Sequence, residues 1–169
     1  VRVLSVDPSI GNIGVALVNE RYYEWSYTFR TSPKVEMPIR LAEITEHFSK
    51  YLVEDHDIGQ VIVEQPGTFM RKGKKGLLNV GPIQMLEMSM GAIVGILAQG
   101  FPVEFVRVDD WKGNKPKRTI QTWAFSECGV HLNDHEAEAF IMALQWRSKV
   151  RLMNSIRRAR GKKKGEGKK

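Results

Sequence analysis

The sequence predicts an α/β fold built on a mixed five-stranded sheet, antiparallel over its first three strands and flanked by helices. Three observations predict it. The opening residues hold three short apolar or aromatic runs, "VRVLSVD", "NIGVALVN" and "YYEWSYTF" (Tyr22 to Phe29), spaced too closely for helical connections and therefore joined as hairpins. The pattern then alternates helix, strand, helix, strand and helix, the order of parallel crossover units. Within that second part, "QVIVEQPG" and "FPVEFVRV" are compact strand-like runs separated by a long helical segment.

The elements follow in order. The first strand carries one acid, Asp7, and stops on Pro8; with Gly11 and Gly14 this ends one strand and launches its hairpin partner. Thr31 to Pro38 is a breaker-rich link. Ile39, Leu41, Ile44, Phe48, Tyr51 and Leu52 then recur at helical spacing. The strand from Gln60 to Gly67 ends in Glu64 and a Pro-Gly break, and leads into a basic, glycine-containing loop, "TFMRKGKKG". The apolar helix from Gly81 to Gly100 is interrupted by Gln84, Glu87 and Gln99, which argues for a buried or interface helix and against a membrane span. Its methionines and small residues suit an irregular interior. After "FPVEFVRV" comes a second basic loop, "DDWKGNKPKR", and a short helix over residues 117 to 127. The last helix starts near "NDHEAEAFIMALQW", with Ala137, Phe140, Ile141 and Leu144 as its core stripe. The expected domain spans residues 1–158, and the composition of residues 159–169 predicts a basic, disordered tail.

At 169 residues and 42% apolar content the chain can bury one core without crosslinks. A single cysteine, Cys128, excludes an internal disulfide and a cysteine metal cluster. No GxxxxGKS/T loop is present, so no nucleotide cofactor is expected. A strand-like segment near residue 1 gives no secretory pattern, and the expectation is a cytoplasmic chain. The net charge of +7 is uneven: residues 147–169 hold eleven Lys or Arg and one acid, against 15 basic and 18 acidic residues before them. A strongly basic end points to a polyanionic partner, with a solubilising tail as the plainer reading.

Isolated acids beside apolar elements are the chemical signal. Asp7, Glu64 and the Asp134, His135, Glu136, Glu138 group each lie at an element end that this topology can bring to one edge. A carboxylate near a core needs a partner, and hard oxygen ligands suit Mg²⁺ or Mn²⁺. Taken singly, each acid also has a plain structural reading: Asp7 as a turn acid before Pro8, Glu64 as a strand-end ion pair, Glu136 as a solvated first-turn acid on the helix dipole. Asp134 and Glu138 are four apart and His135 and Glu138 three apart, so either pair can share a face. Glu138 is the favoured third carboxylate, His135 its companion, and Asp134 a competitor.

The order Asp7, Glu64, then His135-x-x-Glu138-Ala139 resembles the RuvC family of Holliday-junction resolvases, within the ribonuclease H-like superfamily. "LSVDPSIGNIGVALV" looks like that family's first strand and hairpin, and "VIVEQPGTF" like its second acidic strand and junction-contacting loop, over about residues 1–150. The resemblance implies a ribonuclease H-like fold and a homodimer formed in part by the Gly81–Gly100 helix. It implies an Mg²⁺-dependent endonuclease, with Mn²⁺ substituting and two ions per active site, cutting four-way DNA junctions, with other branched DNA as the alternative substrate. The metal and catalytic set carried over is Asp7, Glu64 and Glu138 with His135 or Asp134, and Lys117 is a catalytic cation. DNA contacts fall to Phe69, Met70, Arg71, Lys72, Lys74 and Lys75 in the first loop, and to Lys112, Lys115, Lys117 and Arg118 in the second. Two departures stand out. Glu138 occupies a position where the family usually has Asp, and the cations after Phe69 can grip phosphates irrespective of junction symmetry, which resembles a bacteriophage-type member acting also on forks and flaps.

Two other classes compete. An actin-like sugar kinase also opens on a strand, an acid and glycines, but needs a second such domain and further phosphate loops that 169 residues do not supply. A non-enzymatic junction-binding module could use the basic loops and tail alone; two retained acids near DNA give such a binder no advantage.

Overall fold

The computed structural model describes residues 1–19, 22–54, 57–65 and 80–166. Five strands, β1 (Arg2–Asp7), β2 (Asn12–Val18), β3 (Tyr23–Arg30), β4 (Ile58–Gln65) and β5 (Val103–Arg107), form one sheet in the order β3-β2-β1-β4-β5. The first three pair antiparallel, whereas β4 joins β1 and β5 joins β4 in parallel. The expected mixed sheet is therefore the observed one. Helix α1 (Met37–Glu54) follows β3, and α2 (Val80–Leu97) follows β4. A single turn, α3 (Val108–Trp111), leads to α4 (Lys117–Cys128) and α5 (Asp134–Glu166).

Strand alternation sorts side chains into two cores. Leu4, Val6, Ile13, Val15, Leu17, Val61 and Val63 pack with Ile44 and Phe48 of α1 and Ile93 and Leu97 of α2. Val3, Ala16, Val18 and Ile62 face the other way, against α4 and α5. Asp7 shares parity with Val3, and Glu64 with Ile62, so both acids belong to the α5 face.

The β1–β2 turn is held by side chains. Ser9 Oγ accepts from the backbone N–H of Gly11 and of Asn12 (3.3 and 3.0 Å). Gly11 adopts no left-handed conformation, so Ser9 does the work the sequence suggests for that glycine. Arg40, at the buried i−4 position before Ile44 and Phe48, reaches under the turn to donate to the Ile10 carbonyl and to Thr31 Oγ1 (3.0 Å).

Two differences from expectation concern helices. Asp109 and Asp110 sit in the first turn of α3, where negative charge favours a helix start, inside a segment whose composition suggests only a basic loop. Helix α2 is core on one side only: Ser89, Ile93 and Leu97 are buried, while Met85 and Met88 remain 39% and 49% exposed. A Cβ added at Gly91 or Gly95 would meet nothing within 4 Å. Helix α5 spans Asp134–Glu166. No described helix is long and apolar enough to cross a membrane.

Candidate active site

Asp7 and Glu64 leave neighbouring strands at the same level. The parallel register pairs Val6 with Val63, and each acid is the next residue on its strand. Helix α5 crosses this face and lowers Glu138 onto it. Asp7 and Glu138 are each only 5% exposed. Burial pushes the Asp7 carboxyl up from its ordinary value, opposed by the hydrogen bond from His135, and the charge of Glu138 pushes it further. Glu64 is raised to about 8, first by burial and then by the charges of Asp7 and Glu138. Three carboxylates from three elements thus repel one another in a poorly solvated recess, an arrangement that costs stability unless cations offset it.

The N-terminus of α5 fixes the remaining members. Asn133 Oδ1 accepts from the backbone N–H of His135 and of Glu136 (both 3.1 Å), and the Glu136 carboxylate accepts from the Asn133 backbone N–H (3.4 Å). This is a capping box, and Thr28 of β3 ties it to the sheet by donating to Asn133 Oδ1 (3.0 Å) and Glu136 Oε1 (3.3 Å). Glu136 therefore has a structural partner set rather than the solvated first-turn role its position suggests. With the helix start pinned, His135 Nδ1 lies 3.0 Å from Asp7 Oδ2, and the Asp7 carboxylate raises the imidazole pKa. Asp134 turns to Lys117 Nζ at 3.4 Å, in a largely exposed pair. Of the two residues that can accompany Glu138, the structure brings His135 to Asp7 and sends Asp134 outward.

Gly14, opposite Asp7 in the β1–β2 register, makes this possible. A Cβ there would lie 2.1 Å from the His135 carbonyl oxygen and 2.5 Å from its carbon. Only glycine lets the backbone of α5 come so near the sheet.

Helix α3 supplies two contacts that periodicity does not reveal. The buried Trp111 donates its indole N–H to Glu64 Oε2 at 3.1 Å. The adjacent Lys112 ammonium pairs with Glu138 and sits 5.7 Å from the Trp111 ring centroid. The sequence assigns Lys112 to a DNA-contacting loop; the structure turns its ammonium inward. Lys115, Lys117 and Arg118 are exposed beyond it. Phe69, Met70, Arg71, Lys72, Lys74 and Lys75 lie outside the described residues.

Mg²⁺ and Mn²⁺ favour oxygen donors, and Asp7, Glu64 and Glu138 form such a set, with a mutual repulsion that a divalent cation relieves. By its chemistry the donor set fits the ion. In the present arrangement, however, no three His, Cys, Asp or Glu side chains among the described residues are placed to hold one metal. Lys112 pairs with Glu138 instead, beside the Glu64 carboxylate that Trp111 holds.

No protein-family model and no curated protein sequence matches this chain. Solved structures do. The chain is similar to Thermus thermophilus RuvC in complex with a Holliday junction substrate, at 19% identity and a TM-score of 0.73, over 89% of this chain and 95% of that one. It matches T. thermophilus RuvC alone at 19% identity and a TM-score of 0.70, covering 90% and 96% of the two chains. The yeast mitochondrial Holliday junction resolvase Ydc2 follows at 13% identity and a TM-score of 0.56, covering 85% and 76%. At these identities the likeness establishes a shared ribonuclease H-like fold.

Proposed function

We propose that this chain is a divalent-metal-dependent, structure-selective DNA endonuclease of the RuvC type, hydrolysing phosphodiester bonds in four-way junctions and related branched DNA. The observation that carries the reading is the meeting of Asp7, Glu64 and Glu138, from β1, β4 and α5, in one buried recess where two of them hold raised pKa values. A structural acid cluster gains nothing from such repulsion; a site built to receive cations does. The fold shared with resolvases at TM-scores of 0.73 and 0.56 supports the same reaction class.

In this reading Asp7, Glu64 and Glu138, completed by His135, would hold Mg²⁺ or Mn²⁺, two ions per cleft. Bound there, the ions would supply Lewis-acid stabilisation of charge on the phosphate. The protein's own contributions are positional. Asp7, at the centre, is oriented by His135, and Glu64 by the Trp111 indole. The recess excludes water from the carboxylates, which strengthens each electrostatic contact made inside it. Lys117, with Lys115 and Arg118, is exposed beside the recess and suits phosphate binding, a sequence-independent and salt-sensitive contribution. The outward methionine and glycine face of α2 is the surface we assign to a homodimer, which would present two recesses to one junction. The added cations Arg71, Lys72, Lys74 and Lys75 favour a bacteriophage-type enzyme with a looser preference for forks and flaps.

The test compares a synthetic four-way junction, a fork and a linear duplex, each with Mg²⁺ and with EDTA. Cleavage of the junction that needs Mg²⁺ and falls on the order of 100-fold or more in Asp7→Asn is the expected result. Equal cleavage of fork and junction keeps the nuclease and removes the junction preference. Tight junction binding with no cleavage in any metal would make the chain a binding module.

A further inference from the structure

The two residues that close α3 face the acid recess in different ways. Trp111 is buried, and its one polar atom is spent on Glu64. Lys112 has a mostly buried side chain, places its ammonium on Glu138, and its positive charge acts on both Asp7 and Glu64. An ammonium in a recess of three carboxylates does part of what a divalent cation does: it offers positive charge and N–H donors to the same oxygens, with half the charge and no capacity to bind two acids at ligand distance. The three carboxylates are accordingly drawn to separate partners, Asp7 to His135, Glu64 to Trp111 and Glu138 to Lys112, and do not converge as one ligand set.

We propose that Lys112 is a latch on the metal-free site. The Lys112 ammonium holds Glu138 in place of a divalent cation and is displaced when the cation arrives, while Trp111 is a positioning residue that holds the Glu64 carboxylate in both states. The inference rests on the metal-dependent reading above and adds a competitor built into the chain. Its consequence is a lowered apparent metal affinity, because binding must break the Lys112–Glu138 pair. A second consequence follows from geometry. The released ammonium, at the C-cap of α3 and close in sequence to the exposed Lys115 and Lys117, becomes free to meet a phosphate oxygen, so occupancy by metal and readiness for DNA are coupled through one side chain.

The test is a titration of the full chain with Mn²⁺, followed by calorimetry, on the wild type, Lys112→Met and Trp111→Phe. Lys112→Met is expected to bind Mn²⁺ about tenfold more tightly, since it loses the competitor and leaves an additional unpaired carboxylate. Trp111→Phe keeps the ring and loses the donor; it is expected to bind about fivefold more weakly. A residue that merely supports the fold would weaken binding in both variants, so the opposite signs carry the inference. Should Lys112→Met fail to fold, the wild type alone decides: its Lys112 side-chain ammonium signal, visible by NMR while the ion pair protects it, is expected to disappear as Mg²⁺ is added. Wild-type binding with unchanged or weaker affinity in Lys112→Met, or a Lys112 signal that persists at Mg²⁺ saturation, overturns the latch and leaves the nuclease reading standing. A wild type that binds no Mn²⁺ and cleaves no DNA overturns both.

Discussion

Substituting Gly14 by alanine should disturb the recess more than the same change at any other glycine among the described residues. The added methyl carbon would sit 2.1 Å from the His135 carbonyl oxygen, 2.5 Å from its carbonyl carbon and 2.9 Å from its Cβ. The first two atoms are backbone, so no rotamer change can relieve the overlap. Restoring ordinary contact requires the first turn of α5 to retreat by about 1 Å, against the Asn133–Glu136 capping box and its anchor to Thr28. Overpacking of this kind costs about 1–3 kcal/mol. The same retreat stretches the 3.0 Å contact between His135 and Asp7 out of hydrogen-bonding range. A displacement of this size at a catalytic constellation can lower the rate on the order of 100-fold. Urea denaturation of Gly14→Ala should therefore show a lowered midpoint, and junction cleavage should fall in parallel. Gly91→Ala is the control: its Cβ meets nothing within 4 Å, and an alanine inside a helix gains about 0.5–1 kcal/mol over glycine. A Gly14→Ala protein within about 0.5 kcal/mol of wild type and fully active would refute the argument that glycine sets the separation of helix and sheet.

Glu64 predicts a pH dependence. Its folded carboxyl is raised to about 8, so between the ordinary carboxyl range and pH 8 the folded state keeps a proton that the unfolded chain has released. Metal-free stability should fall as pH rises through that window, and Glu64→Gln should flatten the fall in urea denaturation series at pH 5 and pH 8.5; an identical slope in both proteins would contradict the assignment. Arg40→Met removes the buried donor shared by Ile10 and Thr31 and should cost about 1–3 kcal/mol, read from the shift in urea midpoint, with no change if the β1–β2 turn holds itself. Met88→Lys places a charge on the outward face of α2; sedimentation should show a dimer in the wild type and a monomer in the variant, and a dimer unaffected by the change would move the interface elsewhere.

The mixed sheet, antiparallel over its first three strands, was legible because apolar alternation and short connections are local signals. Asp7 and Glu64 were legible for the same reason: each follows a run of buried strand residues, and the parity of its strand assigns it a face. Sequence spacing left His135 and Asp134 as competitors for one role. What separates them is tertiary, since His135 meets Asp7 across 128 residues of chain, while Asp134 finds Lys117 on α4. Glu136 could have been read better: Asn133-x-x-Glu136 ahead of an apolar stripe is a local capping pattern. Trp111 and Lys112 offered no such cue. Their partners lie 47 and 26 residues away on other elements, and a basic loop rich in lysine and glycine looks the same whether one of its cations faces solvent or a buried acid.

Strand β1 gives alternate residues to opposite sides, Leu4 and Val6 to the layer that includes α2, Val3 and Asp7 to the layer that includes α5. The sheet thus acts as a partition wall. The outward side of α2 and the acid recess therefore lie on opposite sides of the sheet, with no side chain shared between the two clusters. Assembly and chemistry can then vary separately in related chains: a lineage could rebuild one surface entirely while the carboxylates keep their places.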